Sequence, residues 1–377
     1  MKVIQLCKSV YPYSVGGVEV YVHNLTKQLE KRGHQVHLIV TKNNVGKHCP
    51  DEISSGTNVR SILRILDEKH YDCLHIHSFA SLGILELGIV LLFNKLRKKK
   101  PVIITPHGSF NSVLYNYYGF SVRFLLQRAY VFYLKNLSTL VDCYIVFTRR
   151  QQDLWRRLGF PAEKIVLLPP FVDLGKEIAG ELSCNQNDKS VLYVGRLSKE
   201  KGIEFLLRAI AIVHKASDVK LRIVGDGKTR KGLVDLTREL GIESEVTFEG
   251  NIPHEKLAEI YSKSSIFVLP SICAEGFPLV ILEAMKHGLP VITTNVGGQA
   301  ELVRQGFNGE LVNPSESKRL AEKISFLLSH PELRKVLGQN AKTFVGNFGA
   351  KEHVEKLETI YSRQMCIAPI ICSHGCD

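Results

Sequence analysis

A chain of 377 residues, 45% hydrophobic and 23% charged, is long enough for two cores at about 100 to 150 residues per domain, and its composition excludes a disordered chain. Nine cysteines in such a length exclude a small disulfide scaffold, and the apolar settings of Cys7, Cys73 and Cys143 predict buried thiols in a reducing compartment. The formal charge of +12 is lopsided: residues 1–173 hold 23 Lys and Arg against 12 Asp and Glu, and the remainder holds 26 against 25, which points to an anionic partner for the first half.

The first residues contain only a four-residue apolar stretch, so no cleavable signal is expected and the chain is assigned to the cytoplasm. Short apolar runs then alternate with helical patterns. Strands are predicted at Val3–Leu6, Val36–Val40, Cys73–Ile76, Val102–Thr105 and Tyr144–Phe147, with a helix over Glu19–Lys31. The run Leu82–Asn94 is too short to span a bilayer and carries Glu86, which predicts a buried helix. Pro169, Pro170 and the polar stretch Ser183–Asp188 mark Leu167–Asp188 as a linker. A second series follows, with strands at Val191–Val194, Lys220–Val224, Val246–Phe248, Ile266–Leu269 and Val291–Thr294, and helices at Ile203–Lys215 and Arg230–Leu240. The alternation predicts an α/β fold with two doubly wound parallel sheets. Ligands of such sheets lie outside the carboxyl ends of the strands, so an interdomain cleft is the expected site.

Several residues at those strand ends suit a phosphorylated, polyhydroxylated ligand. Gly16 and Gly17 follow the first strand without a G-x-G-x-x-G pattern, which counts against a dinucleotide, although backbone N–H groups before a helix can still take an anion. In VGRLSKEKG, Arg196 and Lys201 flank a turn after a strand, and two cations near a diphosphate could stabilise its departure without a metal. His107 ends the strand in VIITPHGSF and can share a hydrogen bond with a hydroxyl. In EGFPLVILE, Pro278 can open a helix that Gly288 closes, which leaves Glu275 in the preceding loop and Glu283 in the second helical turn. Taken singly, each of these motifs is as well explained by a tight turn, a surface ion pair or a solvated carboxylate. The tail holds Cys366, Cys372, His374 and Cys376 without paired C-x2-C spacing, so no metal site is expected.

Their joint order carries more. GGVE near the N-terminus, HG after a middle strand, GRLSKEKG, GDG at Gly225–Gly227 and EGFPLVILEAMKHGLPVITTNVGG together resemble the retaining glycosyltransferases of family 4, from about Val3 to about Tyr361. The resemblance implies the GT-B architecture: an acceptor-binding Rossmann-like domain over 1–172, a nucleotide-sugar domain over 173–350, and a C-terminal helix and tail over 351–377, the helix returning to the first domain. It implies a UDP- or GDP-sugar donor and no required cofactor or metal. By the same resemblance Arg196 and Lys201 hold the diphosphate, Glu283 binds the ribose and Glu275 contacts the transferred sugar. His107 approaches the sugar's 6-hydroxyl, the backbone of Gly276, Phe277, Pro278 and Leu279 lies against sugar and diphosphate, Gly16 and Gly17 meet the phosphates, and Gly225, Asp226 and Gly227 frame the nucleotide. Transfer with retention by a front-face route would follow, with Glu275, His107, Arg196 and Lys201 as the catalytic set. Where many relatives have Asn-Gly-Val-Asp at the linker, this chain has Pro169, Pro170, Phe171, Val172 and Asp173, which predicts a stiffer or differently shaped hinge.

Family members take the acceptor on the basic first domain. There Arg123, Arg128 and Lys135 interleave with aromatic and aliphatic residues over Gly119–Leu137, beside the basic run Arg97–Lys100. That pattern suits peripheral attachment to an anionic membrane surface on its cytosolic face and a glycan or lipid-linked acceptor. Alternatives are a GT-B epimerase or phosphorylase and a non-catalytic sugar-nucleotide-binding partner subunit. Nucleic acid is not an expected partner, since no recognition motif accompanies the charge.

Overall fold

The computed structural model describes residues 1–13, 16–41, 53–56, 58–108, 120–174 and 189–367. The chain forms two compact units, Met1–Phe171 with Ala350–Asp377, and Val172–Gly349, each with its own apolar core.

The first unit contains β1 (Lys2–Cys7), α1 (Gly17–Lys31), β2 (Gln35–Val40), β3 (Ile53–Ser55), α2 (Val59–Glu68), β4 (Cys73–His77), α3 (Ile84–Phe93), β5 (Val102–Thr105), α4 (Phe120–Leu137), β6 (Cys143–Val146), α5 (Arg149–Arg157) and β7 (Ile165–Leu167). The strands pair in parallel in the order β3-β2-β1-β4-β5-β6-β7. The central strands β4 and β5 are buried at every position, as a parallel sheet covered on both faces requires, although β4 carries the buried histidines His75 and His77. Helix α1 buries Tyr21, Val22, Leu25, Thr26 and Leu29, one stripe of a 3.6-residue period. Asn58 and Ser61 close a capping box on α2, and Thr148 caps α5, each satisfying N–H groups that the first turn leaves unpaired. Cys7, Cys73 and Cys143 are buried free thiols.

The second unit contains β8 (Ser190–Val194), α6 (Ile203–His214), β9 (Lys220–Val224), α7 (Arg230–Glu239), β10 (Val246–Gly250), α8 (Leu257–Ser262), β11 (Ile266–Leu269), α9 (Leu279–Lys286), β12 (Val291–Thr294), α10 (Gln299–Leu302), β13 (Gly309–Val312), α11 (Ser317–Ser329) and α12 (Pro331–Val345). Its sheet is also parallel, in the order β10-β9-β8-β11-β12-β13. Helix α13 (Ala350–Ile367) belongs to the first unit. There His353 and Tyr361 reach Tyr21 and His75, and Glu358 bonds Arg32 at 2.8 Å and His34 at 2.6 Å.

One expectation fails. The helix predicted to be buried over Leu82–Asn94 buries Leu87, Val90 and Leu91 but exposes Leu85 (74%), Ile89 (46%) and Leu92 (48%). A helix that is apolar all round carries no period to mark a solvent face, so its sequence cannot announce half-exposure. Parts of three other readings lie outside the described residues: the linker beyond residue 174, Gly119 and the side chain of Arg123 in the basic, aromatic segment, and the cysteine-bearing tail beyond residue 367.

Candidate active site

In each sheet the strand order reverses once, between β1 and β4 in the first unit and between β8 and β11 in the second. Loops leaving neighbouring strands diverge at such a point and open a crevice at their carboxyl ends. In the second unit the loop after β8 carries Arg196 to Lys201, and the loop after β11 carries Ser271 to Pro278. Lys201 Nζ donates to Glu275 Oε2 at 2.6 Å, which ties the two loops together across the reversal. Both side chains are mostly covered, 17% exposed each, so the pair is less screened than a surface bridge. Ser271 Oγ donates to the other carboxylate oxygen of Glu275, and the Glu275 amide donates to Gln299 Oε1 at 3.3 Å. Gly297 explains how the loop after β12 comes so close. Its φ is +54°, and a Cβ there would lie 2.6 Å from the Glu275 nitrogen, while Gly298 N donates to the Glu275 carbonyl at 2.8 Å.

Arg196 goes elsewhere. Its guanidinium is 71% exposed and lies 3.4 Å from Glu200, a carboxylate that also accepts from Ser198 Oγ at 2.7 Å. Thus the sequence-predicted cations share one loop but are paired with different carboxylates. Gly225 to Gly227 interlock with that same loop. Gly195 N donates to the Val224 carbonyl at 3.0 Å and Leu197 N to that of Asp226 at 2.9 Å. Asp226 Oδ1 accepts from Gly227 N at 2.7 Å. Gly225 has φ +124°, and a Cβ there would collide with the Gly195 carbonyl oxygen, so close backbone approach by itself requires this glycine.

Pro278 stands just before α9, with Leu279 its first helical residue, one position later than the sequence suggests and within the usual spread of helix boundaries. Glu283 is in the second turn, where its carboxylate accepts from Tyr261 Oη at 3.0 Å and approaches His254 Nδ1 at 3.9 Å. His287 Nδ1 donates to the Glu283 carbonyl at 2.7 Å, and its ring stacks on Tyr261 at 5.2 Å. Burial, and then the adjacent Glu283 charge, raise the Tyr261 hydroxyl well above its ordinary pKa, so it stays a proton donor to the carboxylate. Phe277 turns its ring toward the unit's core, 5.9 Å from Phe348, an apolar anchor beside Gly276.

The remaining candidates belong to the first unit. Gly16 and Gly17 lie at the N-terminus of α1 after β1; Glu19 in that first turn accepts from Ser9 Oγ at 2.8 Å. His107, two residues past β5, has φ +58°, and Gly108 N bonds back to the Pro106 carbonyl at 2.7 Å. A non-glycine residue held in this left-handed three-residue turn is strained, a condition that clusters at functional sites. Its ring lies 5.2 Å from Tyr21 and 5.1 Å from Phe147. Sequence reasoning missed Ser271, which contacts Glu275 from within its own loop, and Gln299, Tyr261, His254 and His77, which contact the candidates from other elements. The one signal available was NVGG after a strand, which holds Gly297.

Two sequence profiles cover this architecture: the one described as Glycosyltransferase Family 4 matches residues 15–176, and Glycosyl transferases group 1 matches residues 176–344. The chain is 29% identical to an uncharacterized glycosyltransferase of Methanocaldococcus jannaschii over 93% of this chain and 95% of that protein. It is 26% identical to N-acetyl-alpha-D-glucosaminyl L-malate synthase of Bacillus anthracis over 93% and 94%. Among solved structures, sucrose-phosphate synthase from Thermosynechococcus elongatus superposes with a TM-score of 0.77 at 24% identity, covering 97% of this chain and 100% of that one. Anabaena HepE superposes with 0.79 at 21% identity, covering 96% and 100%. With two parallel α/β units, each reversing strand order beside loops matched by these profiles, the chain belongs to the group 1, family 4 glycosyltransferases, transferase enzymes of the GT-B fold.

Proposed function

We propose that the protein transfers a hexose, with retention at the anomeric carbon, from a UDP- or GDP-sugar to a hydroxyl of a glycan or lipid-linked acceptor. The observation that carries this reading is the Lys201–Glu275 pair at the strand-order reversal of the second unit. A diphosphate arriving there would draw on the Lys201 ammonium, and Arg196 from the same loop would supply a second cation. A full charge at 4 Å contributes on the order of 4 kcal/mol at an effective dielectric of 20. These cations then stabilise the departing diphosphate without calling on a metal. As Lys201 turns to the phosphate, Glu275 keeps its bond from Ser271 and offers its freed oxygen to the transferred sugar. Glu283, held by Tyr261, takes the ribose hydroxyls. Gly16, Gly17 and His107 contribute from the first unit, and the backbone around Gly276 to Leu279 and Gly225 to Gly227 borders the donor. Structures of the similar HepE protein with UDP and with UDP-glucose favour a nucleotide sugar as donor. Proton NMR of the product's anomeric configuration tests the stereochemistry: an inverted linkage rejects the front-face route.

For the acceptor side we infer attachment to an anionic bilayer. Leu85, Ile89, Leu92 and Leu96 recur at spacings of four, three and four along α3 and the turn that continues it, all exposed. Exposed Lys95 and Lys99 lie at its end. On the neighbouring α4, whose Tyr133 packs at Gly88, Phe132 is 69% exposed between exposed Arg128 and Lys135. Among the described residues no helix is long and apolar enough to cross a membrane, whereas an apolar stripe rimmed by cations suits the headgroup boundary. Co-sedimentation with vesicles of phosphatidylglycerol and phosphatidylcholine should show salt-sensitive binding that Ile89→Ser with Leu92→Ser removes. Equal recovery with pure phosphatidylcholine, or no binding, rejects this surface.

A further inference from the structure

We propose that His77 is a positioning residue that fixes the tautomer of His107, so that His107 meets a bound sugar as a hydrogen-bond donor through Nδ1 and not as a base. The proposal rests on the reading of His107 as a ligand contact, but the proton arrangement can be tested with no ligand present. His77 Nδ1 and His107 Nε2 face each other at 3.1 Å. Burial pushes the His77 imidazole down to about 3 and, with His77 beside it, holds His107 well below the ordinary range; both rings are therefore neutral at pH 7, and one proton is shared between the facing nitrogens. Two arrangements satisfy that bond. If His107 donated, His77 would carry its own proton on Nε2, a fully buried nitrogen without a partner among the described residues. If His77 donates from Nδ1, its Nε2 is a bare lone pair and no buried N–H is left unpaired. Orphaned buried donors are the rarer defect, so the second arrangement is favoured. It puts the His107 proton on Nδ1, because a neutral imidazole carries only one.

Among the described residues the neighbours of His77 do not reverse this. Its ring packs 4.1 Å from that of His75, whose nitrogens are already committed to Tyr361 Oη at 2.7 Å and Thr105 Oγ1 at 2.8 Å. Ser81 Oγ donates to the His77 carbonyl. Tyr21, edge-on to both His77 and His107, has its hydroxyl turned to His353 Nε2 at 2.9 Å. His353 must accept that proton, since its Nδ1–H is given to the Pro169 carbonyl at 2.8 Å. The strained turn at His107 then aims a donor at its ligand, a geometry suited to a hydroxyl oxygen.

Protein labelled with 15N at histidine, with His107 assigned by the signal lost in His107→Gln, reports the tautomer directly in long-range proton–nitrogen spectra. The wild-type protein should show His107 protonated at Nδ1 and bare at Nε2; protonation at Nε2 overturns the proposal without need of any His77 variant. His77→Phe should shift His107 toward the Nε2–H form that free imidazole prefers in water, whereas His77→Asn, which keeps a donor near the Nδ1 position, should retain Nδ1–H. An identical His107 signature in these two variants removes His77 from the role. Absence of sugar transfer in any assay would instead bear on the proposed function and leave this result standing.

Discussion

Glu275 is the residue whose chemistry and whose packing separate most cleanly. Glu275→Gln keeps the size and one acceptor oxygen but removes the charge that Lys201 and the sugar share, so transfer should fall on the order of 100-fold while nucleotide affinity changes little; parallel kinetics and calorimetry measure both. The glycines divide differently. Gly225→Ala forces a Cβ onto the Gly195 carbonyl at φ +124° and should cost roughly 1 to 3 kcal/mol in urea unfolding. Gly17→Ala meets nothing within 4 Å and should leave stability unchanged, so any loss of donor binding there reports a ligand contact. Sequence alone placed Glu275, Glu283, Arg196 and Lys201 on their loops and helix, because strand–loop–helix order and the Pro278 and Gly288 signals are local. It could not reveal that Lys201 pairs with Glu275 and Arg196 with Glu200, since those choices depend on loops 74 residues apart in one case and on a local turn in the other. Nor could it single out Tyr261, which reaches Glu283 from another helix.

At the scale of elements, α13 fastens the first unit through histidines. His75, His77, His107 and His353 are all held neutral by burial, His353 at about 4 and His77 at about 3. Their unfolded value is about 6.5. Above it each is neutral in both states, and below it the unfolded chain binds protons first, so stability falls as pH drops from about 6.5 toward the folded values. Each histidine contributes a slope of roughly 1.4 kcal/mol per pH unit in that window. Glu358, lowered to about 2 chiefly by its bond from Arg32, adds to the loss below its ordinary range. Thermal unfolding should therefore be flat from pH 8 to 7 and drop steeply from 6.5 to 5; an unchanged midpoint at pH 5 contradicts the neutral cluster. Of these histidines only His107 was legible, as a strand-end residue; the bond of His75 to Tyr361 depends on a helix almost three hundred positions away. The half-exposed face of α3 was illegible for the opposite reason, an apolar pattern without a period.

Over the whole molecule, the alternation of strand and helix in two series was enough to foresee two parallel sheets, since βαβ connection fixes parallel pairing and places ligands at the carboxyl ends. The order of strands within each sheet, and hence the reversal at β8 and β11, needed the structure. The central claim is that this reversal in the second unit, through Lys201, binds the diphosphate of a nucleotide sugar. Its most direct test is thermal unfolding of the wild-type protein and of Lys201→Ala against a panel of UDP- and GDP-sugars. At about 100 times the dissociation constant a true donor should add about 2.7 kcal/mol to the wild-type protein, and Lys201→Ala should lose most of that gain. No stabilisation by any of these sugars, or equal stabilisation of both proteins, would contradict it.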